Sequence, residues 1–288
     1  MPSGTRRSRT GRAVGCLVLA VVVLVALGVG VFWWLRDRGL ASPVAGQQRC
    51  VATASDHSVV LDLDQAHFAS IIVGLSVRRG LNPRAASIAM ATVYQETGIR
   101  NLDYGDRDSV GLFQQRPSQG WGTRKQLMDP FYSTGEFYKA LVKVDKWRTD
   151  DINDVAQKVQ RSGHPEAYRE HEADARVLAS ALTGQSPQGI TCLDRTNAPG
   201  DRQGLMSALQ KTFGGVADRT SGSVTTIEAK KASLAWAYAH FAVANASYYG
   251  VTGVKIGDRQ WQTQDINLPT WDAANPTGAD TTVEITLR

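Results

Sequence analysis

Residues 13–35 run for 23 positions without a charged side chain, and this run constrains the chain more than any other feature. A helix rises about 1.5 Å per residue, so such a run reaches across the roughly 30 Å hydrocarbon layer of a bilayer. Trp33 and Trp34 lie at its far end, where indoles favour the interface. Arg6, Arg7, Arg9 and Arg12 precede it, which predicts a cytoplasmic N-terminus and an extracytoplasmic remainder. A cleaved signal peptide is the rival reading, but its apolar region is about 7–15 residues long and ends at a small-x-small site. The run here is longer and residues 40–45 offer no clean site, so the expectation is a single-pass protein of the cell membrane, anchored through residues 13–35.

The formal charge of +5 suggests nucleic acid until its location is considered. Residues 1–38 hold six arginines against Asp37 alone, which accounts for the whole excess. The rest of the chain is close to neutral, so the totals point to no nucleic-acid partner. Cys16 falls in the apolar run, which leaves Cys50 and Cys192 outside it. An even pair in an oxidising compartment reads as a disulfide. Closing a loop of that length stabilises a fold by about 5 kcal/mol on the chain-entropy view.

The organisation follows from these anchors. Residues 1–12 read as a basic cytoplasmic tail, 13–35 as a transmembrane helix and 36–49 as a linker. The first domain is 50–192. A polar stretch at 193–203 carries Pro199-Gly200, a turn or linker signal. Residues 204–288 read as a small α+β module. Within the first domain, Phe68, Ile71, Ile72 and Leu75 recur at helical spacing before Gly80. Pro83 opens a second helix that Gly98 closes. Residues 99–123 read as loop, and helices are expected over 133–146, 151–162 and 165–182. In the module, Ile227 to Tyr249 reads as one helix. Gly257-Asp258 joins a hairpin, and residues 281–287 alternate as a strand.

Glu96 stands out chemically. It shares a helical face with Ala85, Ala89, Thr92 and Val93 and lies in the last turn before Gly98. Burial and the helix dipole both disfavour its charged form, as a general acid near neutral pH requires. The segment around and beyond this glutamate resembles the lytic transglycosylases and goose-type lysozymes of the lysozyme-like superfamily. The resemblance is carried by Gln95-Glu96-Thr97-Gly98, Asn101 and Ser109-Val110-Gly111-Leu112-Phe113-Gln114. Asp129-Pro130 and the third block at 157–168 continue it, so it covers roughly residues 65–182. Gln160-Arg161 replaces the family's Tyr-Asn in that third block, which looks closer to modules of actinobacterial surface proteins.

The resemblance implies a mainly α, lysozyme-like first domain. It implies cleavage of the β-1,4 bond between N-acetylmuramic acid and N-acetylglucosamine in peptidoglycan, with Glu96 as general acid and then base. Ser109, Gln114 and Tyr168 are the candidates for glycan contacts. A hydrolytic outcome needs a second carboxylate, for which Asp103, Asp106 and Asp108 are the candidates. A second class of function is also expected to fit: a module without turnover that binds glycan strands or an envelope protein partner. No cofactor motif is present. His164, Glu170, His171 and Asp174 match no metal-ligand spacing, so no metal is expected. Trp261 and Trp271 read as core, or as a platform for sugar or a partner.

Overall fold

The computed structural model describes residues 47–161, 166–276 and 278–288. The expected tail at 1–12, the span at 13–35 and nearly all of the 36–49 linker lie outside the described residues. No helix among the described residues is long and apolar enough to cross a membrane.

Strand β1 (Arg49–Ala54) pairs antiparallel with β2 (His57–Leu61) on one side and with β3 (Ile190–Leu193) on the other. Cys50 and Cys192 face each other across β1 and β3 and form a disulfide, which joins positions 142 residues apart. Helix α1 (Leu63–Arg78) begins where Asp62 accepts from the Gln65 N–H at 2.7 Å. Gln65 returns the bond to the Asp62 N–H at 2.9 Å, a reciprocal cap that satisfies two otherwise orphaned donors. Helix α2 (Pro83–Thr97) has proline in its first turn and ends at Gly98, whose φ of 60° closes the helix. Four further helices complete this half: α3 (Arg124–Leu127), α4 (Pro130–Leu141), α5 (Ile152–Gln160) and α6 (Glu172–Leu182).

Helix α7 (Arg202–Phe213) starts with Asp201 accepting from the Gly204 N–H at 2.8 Å. Then come β4 (Asp218–Ser221), β5 (Val224–Glu228), α8 (Ala232–Ala244), α9 (Ala246–Tyr249), β6 (Val251–Ile256), β7 (Arg259–Gln262), β8 (Trp271–Ala273) and β9 (Thr282–Leu287). Six of these strands make one antiparallel sheet in the order β4-β5-β9-β6-β7-β8. Helix α8 is buried from Ala235 to Ala244 without a solvent face, as expected of a helix apolar all round. It packs on α1, α6 and β3 from the earlier half and on β6 and β9 of the large sheet. Gly184 makes that approach close: a Cβ there would stand 1.9 Å from the Ser233 carbonyl.

The expectation of a mainly α lysozyme-like domain followed by a small α+β module is overturned. Nine α-helices and nine strands in two antiparallel sheets make the described chain α+β throughout, and its residues form one compact unit. The three-stranded sheet escaped notice because its central strand β1 buries only small residues, Cys50 and Ala52. Small side chains give weak alternation, and the strands are stabilised by their pairing instead. The helix expected from Ile227 begins at Ala232. Val224, Thr225, Thr226 and Ile227 are β-branched and pair with β9, and Lys230 and Lys231 separate the two elements. The helix expected over 133–146 starts earlier, at Pro130, capped by Asp129 accepting from the Phe131 N–H at 2.8 Å. The one expected from 165 is a 3₁₀ turn at Arg169–His171 that leads into α6.

Candidate active site

The end of α2 is tied to the loop that comes after it. Thr97 Oγ1 donates to the Leu112 carbonyl at 2.9 Å. Asn101 Nδ2 donates to the Met128 carbonyl at 2.8 Å. Gly111 adopts φ 80°, and a Cβ there would lie 2.4 Å from the Leu127 carbonyl. Only glycine fits that turn, and the turn sets Leu112 and Phe113 into the core. The Phe113 carbonyl is left facing α5, where Gln160 Nε2 donates to it at 2.7 Å.

Gln160 Nε2 also donates to Glu96 Oε1 at 3.2 Å, and the hydroxyl of Tyr168 donates to the same oxygen at 2.8 Å. Tyr168 is fully buried, so its hydroxyl is held in place. Next to it, His171 stacks on Tyr94 with centroids 5.3 Å apart and bonds Gln95 at 3.0 Å. Glu96 Oε2 takes no bond from any described residue. Burial pushes the Glu96 carboxyl above its ordinary 4.5; the bonds from Tyr168 and Gln160 oppose this but do not offset it. Two donors on Oε1 leave the acidic proton to Oε2. The upward shift favours the protonated carboxyl, whose proton would then sit on the unshared oxygen, the arrangement a general acid needs.

Glu96 opens on a groove of about 950 Å³. Ser109 and Gln114 line it as well. Gln114 sits at φ 47°, and its amide donates to the carbonyls of Tyr104 at 3.2 Å and Gly111 at 3.3 Å, so it holds the loop together. Tyr168 acts from behind, on Glu96, rather than from the groove wall. The three candidate aspartates part ways. Asp108 accepts from Arg116 at 2.9 Å and from the Ser118 N–H at 2.7 Å, which hold its carboxyl far below the usual carboxylate range. Asp106 lines the groove but is 88% exposed. Asp103 lies outside the groove lining, and its carbonyl accepts from Arg124. None of the three donates to or accepts from Glu96.

His164 lies outside the described residues. His171 and Asp174 are engaged elsewhere, with Gln95 and with His57 at 2.8 Å, and no group of three metal-ligating side chains is found among the described residues. Trp261 is fully buried and donates to Thr191 Oγ1 at 3.0 Å. Trp271 is 9% exposed and donates to the Ile190 carbonyl at 2.9 Å. Both fasten the large sheet to β3 instead of presenting a platform. Gln160 is the site residue that sequence reasoning missed. Its signal was present as the replaced Tyr-Asn pair, at the position where the third block meets the glutamate. Comparison with known proteins finds no matching family model and no matching curated protein.

Proposed function

We propose that this protein is a peptidoglycan lytic enzyme that cleaves the β-1,4 bond between N-acetylmuramic acid and N-acetylglucosamine. The observation that carries the reading is Glu96: half-buried, fixed through Oε1 by Tyr168 and Gln160, and free through Oε2 beside an open groove. The resemblance of its flanking blocks to lytic transglycosylases supports the same reading. The 23-residue uncharged run and the Cys50–Cys192 disulfide support an extracytoplasmic setting, where the glycan lies.

In this reading Glu96 gives its proton to the glycosidic oxygen as the bond to C1 breaks. The resulting carboxylate takes the proton of the muramyl 6-hydroxyl, whose oxygen bonds to C1. The product is a 1,6-anhydro ring and no water is consumed. The engagement of Asp108 and the exposure of Asp106 favour this route over hydrolysis, which needs a second carboxylate positioned on the substrate.

The test is to incubate the full-length chain in nonionic detergent with purified peptidoglycan, beside its Glu96→Gln variant, and to identify soluble products by mass spectrometry. Anhydro-muropeptides from the parent alone are expected. Reducing ends would replace the route with hydrolysis and turn attention to Asp106. Capture of glycan by both forms without release would establish a binding module in its place.

A further inference from the structure

Tyr168 can donate to Glu96 Oε1 only while the segment that carries it stays in register with the last turn of α2. A hydrogen bond weakens steeply with distance and angle, so that register is as much a part of the site as the two side chains. Two contacts fasten the segment. Arg169 reaches Asp151, the cap of α5, at 3.1 Å, but the two side chains are 51% and 38% exposed and such a pair contributes little. His171 is the stronger fastening. Its side chain is 23% exposed, its ring lies on Tyr94 with an interplanar angle of 11°, and its Nε2 is 3.0 Å from Gln95 Oε1.

That bond has one sense. An amide oxygen only accepts, so Nε2 carries the hydrogen and donates it whether the ring is neutral or charged. Glu170 stands 3.6 Å from the same nitrogen, beyond hydrogen-bond distance, and is 74% exposed. Asp174 on α6 is taken by His57 of β2 at 2.8 Å. The imidazole therefore grips α2 at Tyr94 and Gln95, the residues immediately before Glu96. On its other side, the His171 N–H donates to the Tyr168 carbonyl at 3.2 Å. One residue thus holds both partners of the Tyr168–Glu96 bond. A histidine kept for packing needs the stack and not the directed bond beside it.

We propose that His171 is a positioning residue: its Nε2–H bond to Gln95 sets the Tyr168 hydroxyl on Glu96 Oε1 and so leaves Oε2 as the oxygen that acts. This rests on the reading of Glu96 as the acting group.

The experiment uses the full-length chain in nonionic detergent, isotope-labelled at the glutamate carboxyls and titrated by NMR, with Glu96→Gln identifying the Glu96 signal. The Tyr168 bond stabilises the carboxylate, so loosening it moves the titration of Glu96 to higher pH. His171→Phe keeps a ring on Tyr94 and removes the donor. It is expected to move the titration upward by less than Tyr168→Phe does, and to add nothing when the two are combined. His171→Gln places an amide nitrogen within reach of Gln95 and is expected to stay near the parent. If His171→Phe does not fold, Gln95→Leu removes the acceptor instead and should give the same shift. Release of peptidoglycan fragments by His171→Phe should fall about tenfold. An unmoved Glu96 titration would overturn the proposal. So would additive shifts in the double variant, or a glutamine variant displaced as far as the phenylalanine one. Release by the parent chain is scored separately. A moved titration in a protein that releases nothing would sink the lytic reading and leave the positioning role standing, whereas release with an unmoved titration would do the reverse.

Discussion

Two titratable side chains, one buried and one half-buried, show how differently the two halves of this molecule use polarity. His240 in α8 is fully buried, and both ring nitrogens are engaged: Nδ1 with the Ala181 carbonyl at 2.7 Å and Nε2 with the Gly189 N–H at 3.2 Å. These partners fix a neutral ring that donates through Nδ1 and accepts through Nε2. Burial pushes its pKa down to about 4. Glu96 is also partly withdrawn from water, but only Oε1 takes hydrogen bonds and the residue lines the groove. A fully satisfied group has nothing left to offer a ligand. A half-satisfied one has an atom to spare and an environment that shifts its proton affinity. The region around α8 is built to stay shut, and the end of α2 is built to meet something.

The strongest way to break this contrast is Glu96→Gln. Loss of a general acid is expected to lower product release by about a hundredfold to ten-thousandfold. Stability should move the other way. The folded pKa of Glu96 is raised above its ordinary 4.5, so ionisation costs the folded state as pH rises through the folded value. The variant should therefore melt slightly higher than the parent at neutral pH, and the gain should vanish below about pH 4.5. A variant that melts lower at neutral pH would mean that Glu96 is structural.

His240→Leu makes the complementary cut. It removes one of the hydrogen bonds of the Ala181 carbonyl and of the Gly189 N–H, which keep those to the Gly184 N–H at 2.9 Å and the Ser186 carbonyl at 3.1 Å, at a cost of about 1–3 kcal/mol. Activity per folded molecule should be unchanged. The parent should also lose stability as pH falls from 6.5 towards 4, because the folded pKa is depressed and protons are taken up on unfolding. The complete shift corresponds to about 3 kcal/mol, and the leucine variant should lack that limb of its stability profile.

The legible parts of the sequence were those where one residue dictates one local geometry. Pro83 and Gly98 bound α2, so the placement of Glu96 in its last turn could be read directly. Cys50 and Cys192 were readable as a pair from their number and the expected compartment. Their direct opposition across β1 and β3 was not, because strand register is a property of pairing. Strand β1 buries only Cys50 and Ala52, too small a pair to announce a strand. The convergence on Glu96 of Gln160 and Tyr168, 64 and 72 residues away, depends on α5 and the 3₁₀ turn packing against α2. No local pattern encodes that meeting. The choice between core and platform for Trp261 and Trp271 was not legible for a related reason: an indole in the sequence looks the same whether its N–H meets solvent, a sugar or the Ile190 carbonyl.

Tyr168→Phe sharpens the comparison from the Glu96 side. It removes one of two donors to Oε1, and that donor stabilises the carboxylate. The alkaline limb of the activity profile should therefore move to higher pH, while stability falls by about 1 kcal/mol. A purely structural tyrosine would lower stability and leave the limb in place. Gln160→Ala should shift the limb in the same direction and by less, since its 3.2 Å bond is the longer one.

The smallest effect is expected from Trp271→Phe, and it tests the closed half alone. Trp271 donates to the Ile190 carbonyl at 2.9 Å and meets Trp236 edge to face at 5.1 Å. Phenylalanine keeps most of the apolar volume and the aromatic contact, but removes the donor. The loss should be about 1 kcal/mol, which in a domain of this size lowers the melting temperature by about 2–4 °C. Capture of peptidoglycan should not change, because the ring is 9% exposed and its polar atom is already engaged. If capture fell while the melting temperature held, the large sheet would be a glycan-binding surface after all. The two halves would then differ in which part of the strand they grip, and not in whether they grip it.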